Sequence, residues 1–164
     1  MKITSNTKAW DKLKKHLLDS NKVHAKVGWF PEQVYGADND NLQMAQVASW
    51  NEHGHPNGGI FAGTYTPPRP FMRVWFPEEL KERKVRAAIK QAGRAAFQQT
   101  SVAGALNTSG PTFVNALQDA MRKLNHPANS EATIAMKGFD DPLRDSGQLI
   151  ASATFKIARD KRGG

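Results

Sequence analysis

Apolar residues recur along this chain with two different periods, and each change of period marks a change of element. Over residues 7–18, Trp10, Leu13 and Leu17 fall at i, i+3 and i+7 while Lys12, Lys14 and Lys15 point elsewhere, which predicts an amphipathic helix. Ser5, Asn6 or Thr7 can cap its start. The period then drops to two. Val23, Ala25, Val27 and Trp29 alternate with Lys22, His24 and Lys26, the pattern of a half-buried strand that Pro31 closes. After a polar loop over 32–41, Leu42, Met44, Ala45, Val47 and Ala48 predict a short helix, with Gly54 ending it in the left-handed conformation.

Residues 55–70 are rich in Gly, Pro and Thr with Ile60, Phe61 and Tyr65 embedded, too apolar for a free linker and suited to a loose hairpin or docking arm. The pattern predicts one long helix over 77–99, opened by Pro77 and acidic at its start through Glu78, Glu79 and Glu82. Val85, Ala88, Ile89, Ala92 and Ala96 form its apolar stripe, and Glu79–Arg83 and Glu82–Arg86 are i, i+4 pairs. A flexible break over 100–110 follows, and Pro111 opens the next helix, with Phe113, Leu117, Met121 and Leu124 on one stripe. Asn129 or Ser130 caps a turn through Met136 that Gly138 stops, and Asp145 or Ser146 starts one more turn. Ala153, Phe155 and Ile157 predict a final strand over 152–158.

Composition adds bounds. The 164 residues suit one domain over 1–158 with a frayed basic tail at 159–164, and no apolar run approaches the ~20 residues that cross a bilayer. Met1-Lys2-Ile3-Thr4-Ser5 lacks the apolar core of a signal peptide, and with no cysteine there is no thiol chemistry. The net charge of +8 is scattered, without a long basic tract or interleaved aromatics, so it argues for general affinity for anionic partners rather than a dedicated sequence reader.

Three groups could carry chemistry. Glu52, His53 and His55 could begin a metal site, but a third well-spaced ligand is missing and a loop turning at Gly54 accounts for them. Asp140, Asp141 and Asp145 could hold magnesium, yet a proline-preceding position and a helix cap explain them as well. No phosphate loop, nucleophile elbow or dinucleotide fingerprint is present, so neither an enzyme nor a cofactor is expected. The third group is stiff rather than reactive: Pro67-Pro68-Arg69-Pro70-Phe71-Met72-Arg73, whose prolines fix the backbone and present Arg69 and Phe71. Arg69 is either a surface residue or a fork onto a carboxylate, with Glu52 as a candidate.

Three boxes in order resemble the tail-completion or head–tail joining (neck) proteins of tailed bacteriophages, a virion-morphogenesis family. They are Asn51-Glu52-His53-Gly54, with His53 where the family has an aromatic residue; the Pro67–Arg73 box before a long helix; and Ser130–Gly138 leading to Pro142-Leu143-Arg144-Asp145-Ser146-Gly147-Gln148-Leu149 and a strand. The match spans residues 23–157; Ser146 stands where Thr is common, and the 56–66 loop is longer than the pattern requires.

The resemblance implies an α+β fold: a small antiparallel β-sheet packed against a long α-helix, with additional short helices and an extended Gly/Pro-rich loop. It implies a non-enzymatic virion protein, assembled in the host cytoplasm into a homo-oligomeric ring, six-fold being one candidate symmetry. Its partners would be portal-side adaptor or connector proteins and the tail tube or tail terminator, with transient, non-specific DNA contact and no membrane. A tail terminator, another minor tail protein and a basic nucleic-acid-binding module are the alternatives. Ile60, Phe61, Tyr65, Pro68, Arg69, Pro70, Phe71 and Arg73 are the expected interface residues. Glu52, Gly54, Lys137, Gly138, Pro142, Leu143, Asp145, Ser146, Gly147 and Leu149 are expected to lock the local fold.

Overall fold

The computed structural model describes residues 7–58, 62–138, 140, 142–143 and 147–160. The amphipathic pattern at the start folds as α1 (Thr7–Ser20) and the first alternating run as β1 (Val23–Gly28). There follow α2 (Met44–His53), the two-residue strands β2 (His55–Pro56) and β3 (Tyr65–Thr66), and a wide π-type turn at Phe71–Trp75. The rest is α3 (Phe76–Glu79), α4 (Arg83–Phe97), α5 (Val102–Lys123), α6 (Glu131–Lys137), α7 (Gln148–Ala151) and β4 (Thr154–Arg159). β1 and β4, the outermost strands in sequence, pair antiparallel with Ala25 opposite Ile157 and Val27 opposite Phe155. The fold is α+β: a two-stranded antiparallel sheet laid on the long helix α5, with shorter helices around it.

The stripe predicted on α5 is the centre of the core. Leu117, Met121 and Leu124 are fully buried against Phe71, Met44, Leu149 and Ile150, and Phe113 turns toward Val85 and Ala88 of α4. Phe71 has no exposed surface and meets the Trp29 ring edge-on at 5.9 Å. Burying such a side chain contributes about 1.5–3 kcal/mol. The Trp29 indole N–H donates to the Leu149 carbonyl at 2.9 Å, so the tryptophan is both core and strap.

Two predicted boundaries are corrected. The break expected over 100–110 is the first half of α5, which starts at Val102 with the Ser101 hydroxyl accepting from the Gly104 N–H. Pro111 lies inside this helix instead of opening it. Its neighbour Gly110 is buried against the Phe155 ring, and a Cβ there would overlap that ring. Glycine serves here as the crossing point of helix and strand, not as a turn. The helix expected over 77–99 is likewise two, broken at residues 80–82, with Glu82 in an extended conformation (φ −57°, ψ 142°) before α4. At about 100° per residue, Glu79 and Ala88 would face opposite sides of one straight helix. Both must face α5, where Glu79 pairs with Lys123 at 2.6 Å and Ala88 joins Phe113, and the break permits it. Glu79 therefore does not pair with Arg83 along the helix.

Gly54 does end α2, but its backbone (φ 75°, ψ 161°) is outside the left-handed helical region expected. A Cβ there would come within 2.5 Å of the Tyr65 hydroxyl, 2.8 Å of the Thr66 carbonyl oxygen and 2.9 Å of the Pro68 nitrogen. The 55–70 segment forms the expected loose hairpin through β2 and β3, with Ile60 and Phe61 outside the described residues.

Candidate interaction surfaces

The first two boxes are joined by one side chain. α2 brings Glu52, almost wholly buried, under the π-type turn that follows the proline run. Its carboxylate accepts from the backbone N–H of Met72 at 2.8 Å and of Arg73 at 3.0 Å, and from Arg73 Nε at 2.9 Å. Arg73 Nη2 returns a bond to the Glu52 carbonyl at 3.2 Å. Pro70 supplies no N–H to this turn and Phe71 is anchored in the core, so the orphan donors at the turn's start fall to Glu52. The carboxylate that sequence offered to Arg69 thus belongs to Arg73.

Arg69 turns the other way. It is 7% exposed and donates from Nε to the Pro127 carbonyl at 3.3 Å and from Nη2 to Asn129 Oδ1 at 2.9 Å. Burial pulls its guanidinium below the ordinary value, opposed by the nearby Asp140 charge. It is neither a surface arginine nor, among the described residues, part of an ion pair; it staples the proline box to the segment before α6. A cavity of about 400 Å³ lies beside it, lined also by His55, Asn129, Leu143 and Gln148.

The expected interface residues therefore divide. Phe71 and Arg69 are inside the fold and offer no surface. Pro70 is half-buried, whereas Tyr65, Pro68 and Arg73 are exposed. Tyr65 also donates its hydroxyl to the His53 carbonyl at 3.3 Å, holding the hairpin to the end of α2.

Where it is described, the last box consists of helix ends and core residues. Ser130 caps α6 by accepting from the Thr133 N–H, Lys137 is the helix's final residue, and Gly138 closes it in the left-handed conformation with its N–H on the Ile134 carbonyl. Pro142 is buried, Leu143 packs on the core at φ 62°, Gly147 opens α7 at φ 76°, and Leu149 is buried. Asp145 and Ser146 lie outside the described residues.

Among the described residues the metal candidates do not converge, and Asp141 and Asp145 lie outside them. His53 Nδ1 is 3.0 Å from the Ser49 carbonyl, His55 stacks on Trp50 at 5.5 Å, and Glu52 is committed to the turn. Asp140 accepts from the Asn129 N–H. Among the described residues no group of three His, Cys, Asp or Glu could hold a metal ion.

One surface escaped the sequence reading. α1 has no buried residue: Trp10 is 64% exposed, and Leu17 and Leu18 face an apolar groove of about 780 Å³ shared with β1, α4 and α5. The periodicity was legible; that the face stays largely uncovered was not, because a hydrophobic stripe reads the same whether its cover lies within the chain or elsewhere.

No family model, curated protein or solved structure matches this chain significantly. Among the described residues no helix is long and apolar enough to cross a membrane.

Proposed function

We propose that this chain is a non-enzymatic virion subunit that self-associates into a ring at the head–tail junction of a tailed phage and joins the tail to the DNA-filled capsid. The observation that carries the reading is the incompleteness of the single chain. Its main sheet is two strands, β1 and β4, with no further strand on either edge among the described residues. Such a sheet is marginal alone, and open edges and apolar faces recruit other chains. Trp10, Tyr65 and Val74 stand exposed on α1, β3 and the π-type turn. Head-to-tail contacts around a closed ring cover the same open surfaces on every copy.

The resemblance in the Asn51–Gly54 and Pro67–Arg73 boxes, and in Ser130–Gly138 leading to Pro142–Leu149, supports that place. In this reading the boxes make a rigid subunit, and Tyr65, Pro68 and Arg73 remain as contact candidates. Tail terminator and minor tail protein belong to the same reading and differ in the partner bound. Light scattering and electron microscopy of the purified chain test it, with attachment to isolated tails and heads as the second arm. Rings that join tails to heads support it; a strict monomer that binds neither overturns it.

A further inference from the structure

We infer that the groove between α1 and α4 is a docking site for an acidic amphipathic helix of a different protein. The floor is apolar: Leu17 and Leu18 from α1, Ile89 and Gly93 from α4, Val102 and Leu106 from α5. Gly93 also lines a second hollow with Phe97, Lys90 and Arg94, so the apolar track runs on from the groove along α4. Ile89, Gly93 and Phe97 are spaced i, i+4, i+8 on one face, and Ile89 and Phe97 are 49% and 70% exposed. Nothing lies within 4 Å of where a Gly93 Cβ would be. Glycine in a helix interior is unfavourable relative to alanine and is not required here by the fold. A close approach by another backbone gives it a use.

Charge chooses the occupant. α4 carries Arg83, Lys84, Arg86, Lys90 and Arg94 and no acidic residue. Lys84 pairs with Asp119, whereas Arg83, Arg86, Lys90 and Arg94 have no ion-pair partner among the described residues. A second copy would bring this same basic face, and this chain has little acidic to offer in exchange. α1, α4 and α5 are net basic, α6 is neutral, the single acid of α2 is the buried Glu52, and the two acids of α3, Glu78 and Glu79, already pair with Lys81 and Lys123. An apolar track with Lys90 and Arg94 along it fits a helix with an apolar face at i, i+3, i+4 and i+7 and glutamates beside it. Nucleic acid would use the cations and leave the track uncovered.

The proposal does not depend on ring formation. The test uses the full chain and three fluorescent peptides: an acidic amphipathic helix, its scramble of equal composition, and a lysine version with the same apolar positions. The acidic helix should bind saturably, and the scramble and the lysine version at least about tenfold more weakly. Binding should weaken from about 0.05 M to about 0.5 M salt. Gly93→Leu, which enters open space, and the double change Lys90→Glu, Arg94→Glu should each weaken it about tenfold. Equal binding of the scramble, displacement of the peptide by duplex DNA of equal charge, or indifference to Gly93→Leu overturns the proposal. So does a self-association that Gly93→Leu dissolves, which would make the occupant a second copy. A ring that ignores the peptide sinks this inference alone; a monomer that binds it sinks the ring alone.

Discussion

Glu52 and Arg73 meet at 2.9 Å, yet the two ends of this ion pair are not equivalent: the carboxylate side chain is 6% exposed and the arginine 59%. The carboxylate serves two backbone N–H groups besides the guanidinium, so it is a cap for the π-type turn more than half of a surface pair. Glu52→Ala should cost about 2–4 kcal/mol, since a donor left without its acceptor costs about 1–3 kcal/mol. Glu52→Gln, which keeps one acceptor, should cost less. Arg73→Ala should cost under about 1 kcal/mol because its charge is largely solvated. Urea unfolding of the three variants measures this; an Arg73→Ala loss as large as that of Glu52→Ala would contradict it.

Two glycines should respond to alanine with opposite signs. Gly54 holds a backbone conformation reserved for glycine and has three atoms within 2.9 Å of its missing Cβ. Gly54→Ala should therefore destabilise by more than about 2 kcal/mol, strain and overlap together. Gly93 is helical and open around its Cβ position, so Gly93→Ala should stabilise by about 0.5–1 kcal/mol. Thermal melts of the pair check both signs, and a destabilising Gly93→Ala would mean that the space beside Gly93 is filled.

The crossing of α5 and β4 gives a coupling test. Gly110→Ala pushes a methyl into the Phe155 ring and should cost about 1–3 kcal/mol by overpacking. Shrinking the ring with Phe155→Leu should return part of that loss, with a coupling above about 0.5 kcal/mol in a double-mutant cycle. Strict additivity of the two changes would show that helix and strand do not touch there.

Gly110 and Pro111 also explain where sequence reading stopped. The stripe Phe113, Leu117, Met121 and Leu124 was legible because three-and-four spacing has one meaning in a helix, and all four are buried. The strands at Val23 and Phe155 were legible by alternation. Gly-Pro next to Thr and Ser reads locally as a turn, and only the Phe155 ring, forty-five positions later, makes the glycine a packing residue. The same holds at Glu52. Its chemistry was evident, but Arg69 and Arg73 are equally plausible partners in sequence, and the direction of the π-type turn separates them. The proline box suggested that Phe71 and Arg69 are presented at the surface, whereas both are buried, because stiffness is a backbone property and burial of Phe71 depends on Trp29 and α5.

Glu79 and Lys123 tie the break between α3 and α4 to the end of α5, and pH can read that tie. The hydrogen bond from Lys123 Nζ to the buried Glu79 carboxylate, with the attraction of Glu79, Glu82 and Asp119, holds the ammonium above its ordinary pKa of 10.5, against a smaller opposing effect of desolvation. A group whose folded value lies above its unfolded one contributes stability that is complete below the unfolded value and disappears as pH rises through the folded one. The unfolding free energy of the wild type should therefore exceed that of Lys123→Met by a constant margin up to about pH 10, and the margin should close as pH climbs further. Removing Lys123 leaves a buried carboxylate without its cation, and so does deprotonating it, which is why the two should converge. The check is urea unfolding of both proteins between about pH 7 and pH 11.5, compared as a difference so that other lysines and tyrosines cancel. A margin that persists unchanged at the alkaline end would mean that Lys123 is held by packing of its alkyl stem rather than by its charge on Glu79.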